Sequence, residues 1–319
     1  MHVLRGHPLQ ALLRGIATAI ACVAVATAHQ VGHAQTARTR VIALLSLDAA
    51  PYKEALNGLQ QQLSSTPGIQ IDSYLMQGDA RAAANAIQAA RDGGAVLVTL
   101  GTAATQTVLS SDAATPVVAA LVFSSESLRR PSVTAVTLDM PVETQFDWLR
   151  KILPDQHTVG VLYNPKENQQ RVDAAMRIAQ ARGLKLLARP VETPQELPAA
   201  LEAMTHQIDV LWSLTDAVVI SPQTAQPILL FCFRNKIPLV GLSSTWVKAG
   251  ALYSLDWDYG DIGRQTGELV QRIVHGAKPA ELPAAMPRKL TYAINIKSAE
   301  QLGLDVPRGL VQGARQVFE

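Results

Sequence analysis

The sequence predicts an α/β protein built as two doubly wound parallel-sheet lobes in tandem, and three observations predict it. Short apolar runs alternate with amphipathic stretches of helical length throughout the chain after Thr39. The first run, 41–47, is apolar enough for a strand covered by helices on both sides. The same alternation then starts afresh near 139–141, after five strands, so one sheet does not account for all of it.

In order, strands are expected at 41–47, 69–75, 95–100, 116–123 and 133–138. Helices fall between them at 51–63 and 80–90, with a short one from Ala103. The second half opens with a helix at 141–153, whose leading Pro lacks the N–H that a first helical turn leaves unpaired anyway. Strands follow at 158–163, 184–188, 210–213 and 238–241, with a helix at 167–182 and another between the last two strands. A strand at 251–255, a long helix at 259–275 closed by Gly276, a strand at 290–296 and a short helix from Ser298 complete the chain.

Composition narrows the class. The 319 residues are 48% hydrophobic and 17% charged, as in a globular protein with a filled core. Only 5% are aromatic, which suits a base-stacking nucleic-acid binder poorly. The start of the chain is a separate object. Arg5 and Arg14 precede the uncharged run 15–28, which ends in the small-x-small sites 26–28 and 32–34. That order predicts a secretory signal peptide over 1–34 and a periplasmic mature protein. Ala19-Ile20-Ala21-Cys22 loosely resembles a lipobox, but the apolar run continues past Cys22, so lipid anchoring is the lesser expectation. Residues 1–34 hold two Arg and no acid, which leaves 26 basic and 26 acidic residues in the remainder. No basic field remains to attract nucleic acid.

Cys232 is the lone cysteine beyond the leader, so no intramolecular disulfide is expected there, and its place between Phe231 and Phe233 reads as a buried small hydrophobe. His157, His206 and His275 have no metal-ligand spacing, and neither a Gly-x-Ser-x-Gly elbow nor a Walker-type phosphate loop occurs. The chain therefore reads as a non-enzyme without cofactor or metal.

Four stretches carry a family resemblance: 159–165 with Glu167-Asn168; 237–241 with 247–252; Asp258-Tyr259, 263–265 and 276–283; and 294–299 with 302–307. In order and spacing these resemble the ABC-transporter substrate-binding proteins of the tryptophan/tyrosine-binding type, within the type I periplasmic-binding fold. The resemblance implies three crossovers between lobes, near Met140, Ala249 and Ala284. It places 40–140 and 250–283 in the N-terminal lobe, and 141–249 and 284–319 in the C-terminal lobe. It also implies the periplasmic solute-binding component of an ABC importer. Such a protein would be a monomer that binds an amino acid or similar zwitterion and docks on an inner-membrane permease. A ligand-sensing subunit for a receptor or kinase is the alternative. Two departures stand out: the Asp-Pro pair usual after the fourth strand is missing from 123–131, and Gln169 stands where Ser is frequent.

In open α/β sheets ligands bind outside the carboxyl ends of strands, where loops and helix N-termini offer unpaired N–H groups. Those ends point to Ser46, Asp48, Thr102, Ala103, Ser124 and Ser125 in the first lobe. In the second they point to Asn164, Asn168, Thr215, Asp216 and Ser244. Each could equally cap the helix that follows it. Asp216 is the expected partner of a ligand ammonium group, with an N-cap as the competing reading. Tyr52, Phe123 and Trp246 are candidate aromatic walls.

Overall fold

A computed structural model describes residues 39–93, 95–111, 114–124 and 126–319. The expected leader over 1–34 and the site candidate Ser125 lie outside the described residues. The first half runs β1 (Thr39–Leu45), α1 (Ala50–Ser64), β2 (Ile69–Leu75), α2 (Ala80–Gly93), β3 (Val96–Leu100), α3 (Thr102–Ser111), β4 (Val117–Val122) and β5 (Val133–Thr137). The second runs α4 (Val142–Ile152), β6 (Thr158–Tyr163), α5 (Pro165–Ala181), β7 (Lys185–Pro190), α6 (Leu197–Glu202), β8 (Val210–Trp212), α7 (Pro222–Asn235) and β9 (Leu239–Gly241). It continues with α8 (Ser244–Lys248), β10 (Tyr253–Trp257), α9 (Tyr259–Val274), β11 (Leu290–Asn295), α10 (Ile296–Leu302), α11 (Arg308–Gln312) and β12 (Gln316–Phe318).

The strands form two sheets. The first has order β2-β1-β3-β4-β5 and is parallel throughout. Every residue of β3, β4 and β5 is buried, because helices cover both faces. One face packs on α1 and α9 through Leu59, Ile262 and Val270; the other packs on α2 and α3 through Ile87 and Val108. The second sheet has order β12-β11-β10-β9-β8-β6-β7 and is parallel except where β10 meets β11. Its two cores gather around Phe146 and Trp212 on one face and around Leu201, Ile228 and Cys232 on the other. Burial pushes the Cys232 thiol up to about 12, as the reading of an inert small hydrophobe requires.

The lobe boundaries need two corrections. Residues 250–257, expected in the N-terminal lobe, pair into the second sheet, with Tyr253 opposite Val240 of β9 and Ile294 of β11. The chain crosses after Trp257, not near Ala249. The return also falls later than Ala284, because Ala285 still bridges to Val136 of β5. A strand's hydrophobic pattern shows that it is buried but not which sheet takes its hydrogen bonds. Helix α9, by contrast, does belong with the first lobe. Its backbone crosses α1 so closely that a Cβ on Gly263 would lie 2.0 Å from the Ala55 carbonyl oxygen. The three crossings are laced together. Trp257 Nε1 donates to the Leu138 carbonyl at 3.1 Å, the Asp258 amide donates to the Lys289 carbonyl at 2.9 Å, and Lys289 pairs with the Asp258 carboxylate at 2.8 Å.

Candidate functional site

The parallel strands of both sheets aim their carboxyl ends at the space between the lobes, where a cavity of about 210 Å³ lies. This is smaller than the about 300–1,000 Å³ of pockets that hold drug-sized ligands. Phe123, Leu138 and Met140 line it from the first lobe. Gln145, Arg171, the loop 213–215 and 240–242 line it from the second, and Leu255, Asp256, Trp257 and Tyr259 from the second crossing. Strand β4 carries a bulge just before Phe123: Leu121 is an extra residue with φ +57°, between the paired Ala120 and Val122. Such bulges re-aim the side chains beyond them. Phe123 emerges 55% exposed, and Leu47, at the end of β1, is 51% exposed. Both are apolar surface that a ligand or a closing lobe would cover.

The sequence candidates fall into three groups. Ser46 is buried and its Oγ accepts the Ala104 N–H at 2.9 Å, which ties β1 to the start of α3. Gly101 makes this join possible, since at φ +101° a Cβ there would sit 2.6 Å from both Ser46 Oγ and the Tyr52 ring. Thr102 and Ala103 are exposed at the first turn of α3. Asp48 pairs with Lys53 at 2.6 Å. Ser124 donates both its amide and its hydroxyl to Asp139 at the first crossing. Apart from Thr215, none of the described candidates lines the cavity; among the aromatic candidates, Phe123 does. Tyr52 packs against the first core and Trp246 against the second lobe's. Ser244 lies in an adjoining cavity of about 230 Å³ with Glu54, Asp256 and Arg315.

Asn164, Asn168, Thr215 and Asp216 do come together, but as a knot of the protein's own bonds. Asp216 is 2% exposed. One carboxylate oxygen accepts the Asn164 amide at 2.6 Å and Asn168 Nδ2 at 2.9 Å; the other accepts the Val218 and Val219 amides at 3.0 and 2.9 Å. Asn168 Nδ2 also donates to the Thr215 carbonyl at 3.1 Å, and Glu167 accepts the Ala217 amide at 3.0 Å. Asp216, the expected partner of a ligand ammonium, has its acceptor capacity filled by four donors of the chain, and it does not line the cavity. Its role is the competing one, a cap, extended to a clasp between α5 and the loop after β8.

The acid that does face the cavity is Asp256. Its Oδ1 accepts the Trp257 amide and the Tyr259 hydroxyl, both at 2.8 Å, while among the described residues no hydrogen bond reaches Oδ2. Burial holds its carboxyl above the usual carboxylate range. Sequence reasoning missed it because the strand that carries it was placed with the other lobe. Arg171 was missed as well, although it follows Asn168 by three residues and so shares its helix face. Gln145 is a packing residue: it accepts Trp212 Nε1 at 2.9 Å and donates to the Met140 carbonyl at 3.1 Å. Among the described residues no group of three or more His, Cys, Asp or Glu could hold a metal ion. No described helix is long and apolar enough to cross a membrane.

Two α/β lobes, three laced crossings and a small mixed-polarity cavity between strand ends define the class of two-lobed binding proteins. Within it, residues 39–318 match the family described as ABC transporter substrate binding protein, and the chain belongs to that family. A tyrosine-binding protein from Clostridioides difficile is 25% identical over 194 residues, which are 59% of this chain and 54% of that relative, so the chain spans about half of its length. Among solved structures, a ligand-free, open substrate-binding protein with adhesive properties from Clostridium difficile is similar at TM-score 0.74 and 20% identity. The likeness covers 88% of this chain and 99% of that one. A domain from Streptococcus pneumonia in complex with L-Trp is similar at TM-score 0.59 and 23% identity, over 88% of this chain and 100% of that one. These structural likenesses show the fold. The family's members are the substrate-binding proteins of ABC transporters.

Proposed function

We propose that the protein captures a free amino acid with an apolar or aromatic side chain between its lobes, outside the cytoplasm, and delivers it to an ABC permease. The observation that carries this reading is the cavity lining, where Phe123, Leu138, Met140, Leu214 and Trp257 surround one basic and one acidic side chain. An amino acid presents the same mixture in a small volume. The exposed Thr102 and Ala103 and the apolar Leu47 are the first-lobe surface that would meet it on closure. The tyrosine of the tyrosine-binding relative and the L-Trp of the similar Streptococcus pneumonia domain support the class. The charge pattern of residues 1–34 supports export, with the mature chain starting near His29 or Gln35.

A thermal-shift screen tests the ligand class, since a ligand that binds only the folded chain raises its melting temperature by mass action. The standard L-amino acids, a set of sugars and a set of purines would be compared. One or more apolar or aromatic amino acids should raise the melting temperature. A rise with sugars or purines alone contradicts the reading and leaves the fold untouched.

A further inference from the structure

Among the described residues the cavity between the lobes is lined by one cation and one anion, Arg171 and Asp256, and each keeps hydrogen-bonding capacity that the described chain does not fill. Arg171 is half-buried on α5. The other half-buried arginines of the described residues are all engaged. Arg40 pairs with Asp72, Arg130 donates to the Leu109 carbonyl, Arg182 pairs with Asp147, Arg189 reaches Gln207 and Arg264 pairs with Asp261. Arg171 alone among them makes no hydrogen bond or ion pair among the described residues. A guanidinium carries five N–H donors in a planar fork that matches a carboxylate, and partial burial without a partner is unfavourable. Its natural partner is therefore a carboxylate that arrives from solution.

Asp256 presents the complementary vacancy. Two donors converge on Oδ1, so the carboxylate is held in one orientation, and Oδ2 keeps its full acceptor capacity. Its position at the end of β10, on the second crossing, puts it across from the first lobe's Phe123 and Met140 in the same cavity. Among the described residues no other acid lines that space.

We propose that Arg171 and Asp256 are the charge clamp of the cleft: Arg171 takes the ligand's carboxylate through its forked N–H donors, and Asp256 Oδ2 takes its ammonium group. The clamp rests on the amino-acid reading given above and deepens it. It makes the cleft selective for the free zwitterion, because an amine or an acid with the same side chain would leave one buried charge without its partner. The apolar lining then grades side chains among zwitterions that all satisfy the clamp.

The test is isothermal titration of the wild-type chain, Arg171→Gln and Asp256→Asn. The probes are the standard L-amino acid with the largest thermal shift, its decarboxylated amine and its deaminated acid. For the wild type, the amine and the acid should each bind about tenfold or more weakly than the amino acid, since loss of one partner of a desolvated pair costs at least that much. Arg171→Gln should bring the amino acid down to the level of the amine and leave the amine unchanged. Asp256→Asn should bring it down to the level of the acid and leave the acid unchanged. Arg171 touches no partner, so Arg171→Gln should keep the unliganded melting temperature, which separates lost recognition from lost folding. If an amino acid binds the wild type but either variant binds it equally well, the clamp fails and the amino-acid reading stands. If no standard amino acid binds the wild type, the reading fails and the clamp with it.

Discussion

Asp216 and Asp256 stand at the carboxyl ends of β8 and β10, on either side of β9, and they behave as opposites. Around Asp216 the chain has gathered four donors from two segments, and the carboxylate is sealed behind the cavity wall. Around Asp256 it has supplied two donors to one oxygen and left the other facing the cavity. Both are aspartates near the carboxyl end of a strand of the same sheet. What separates them is how much of their acceptor capacity the fold consumes. A saturated carboxylate stabilises the fold; a half-saturated one is held in place and still available to a ligand.

The sharpest way to break this contrast is to remove the saturated member. Asp216→Ala strips the acceptors from the Asn164, Val218 and Val219 amides and from Asn168, and each buried donor left unpaired costs about 1–3 kcal/mol. Urea unfolding without ligand should show a loss of about 3 kcal/mol or more. If stability holds while ligand affinity collapses, the roles of the two aspartates are exchanged.

A smaller effect of opposite sign is expected at Asp256. Burial raises its carboxyl in the folded chain, so the folded form binds a proton more tightly than the unfolded form. Unliganded stability should therefore fall as pH rises from the ordinary carboxylate range of about 3.9 through the raised value, and should stay lower above it. The hydrogen bonds from the Tyr259 hydroxyl and the Trp257 amide oppose part of the rise, as does Arg315, which pairs with Glu54 at 2.7 Å, while the Glu54 charge adds to it. Asp256→Asn removes the group that titrates. Melting curves across that window should show the variant flatter than the wild type and, at neutral pH, equal to it or more stable within about 1 kcal/mol. A variant that loses stability at neutral pH would mean that the ionised carboxylate is structural after all.

Much of this architecture was legible in the sequence, and the part that was not shares one physical character. Strands β2 and β6 fall at their expected residues, β2 starting after Gly68 and β6 ending before Asn164-Pro165. Strand β12 escaped notice, since three residues carry no period and Gln316 and Val317 are strand only by pairing with Ala293 and Ile294. The loop after β8 was singled out as a candidate, but Asp216's saturation depends on Asn164 and Asn168, about 50 residues away. Arg171 looks like any other arginine along the chain; it is set apart by the partner it lacks, which is a property of the fold. Asp256 was hidden by a topological assignment, because its strand was given to the wrong sheet. Local signals gave the elements, and the contacts between distant segments decided which polar groups were left for a ligand.

The most direct test of the contrast is a crystal structure of the protein with the amino acid that raises its melting temperature. The account predicts the ligand ammonium within hydrogen-bonding distance of Asp256 Oδ2, its carboxylate on Arg171, and Asp216 still bonded to Asn164, Asn168, Val218 and Val219. A ligand ammonium seated on Asp216, with the Val218 and Val219 amides released, would contradict it.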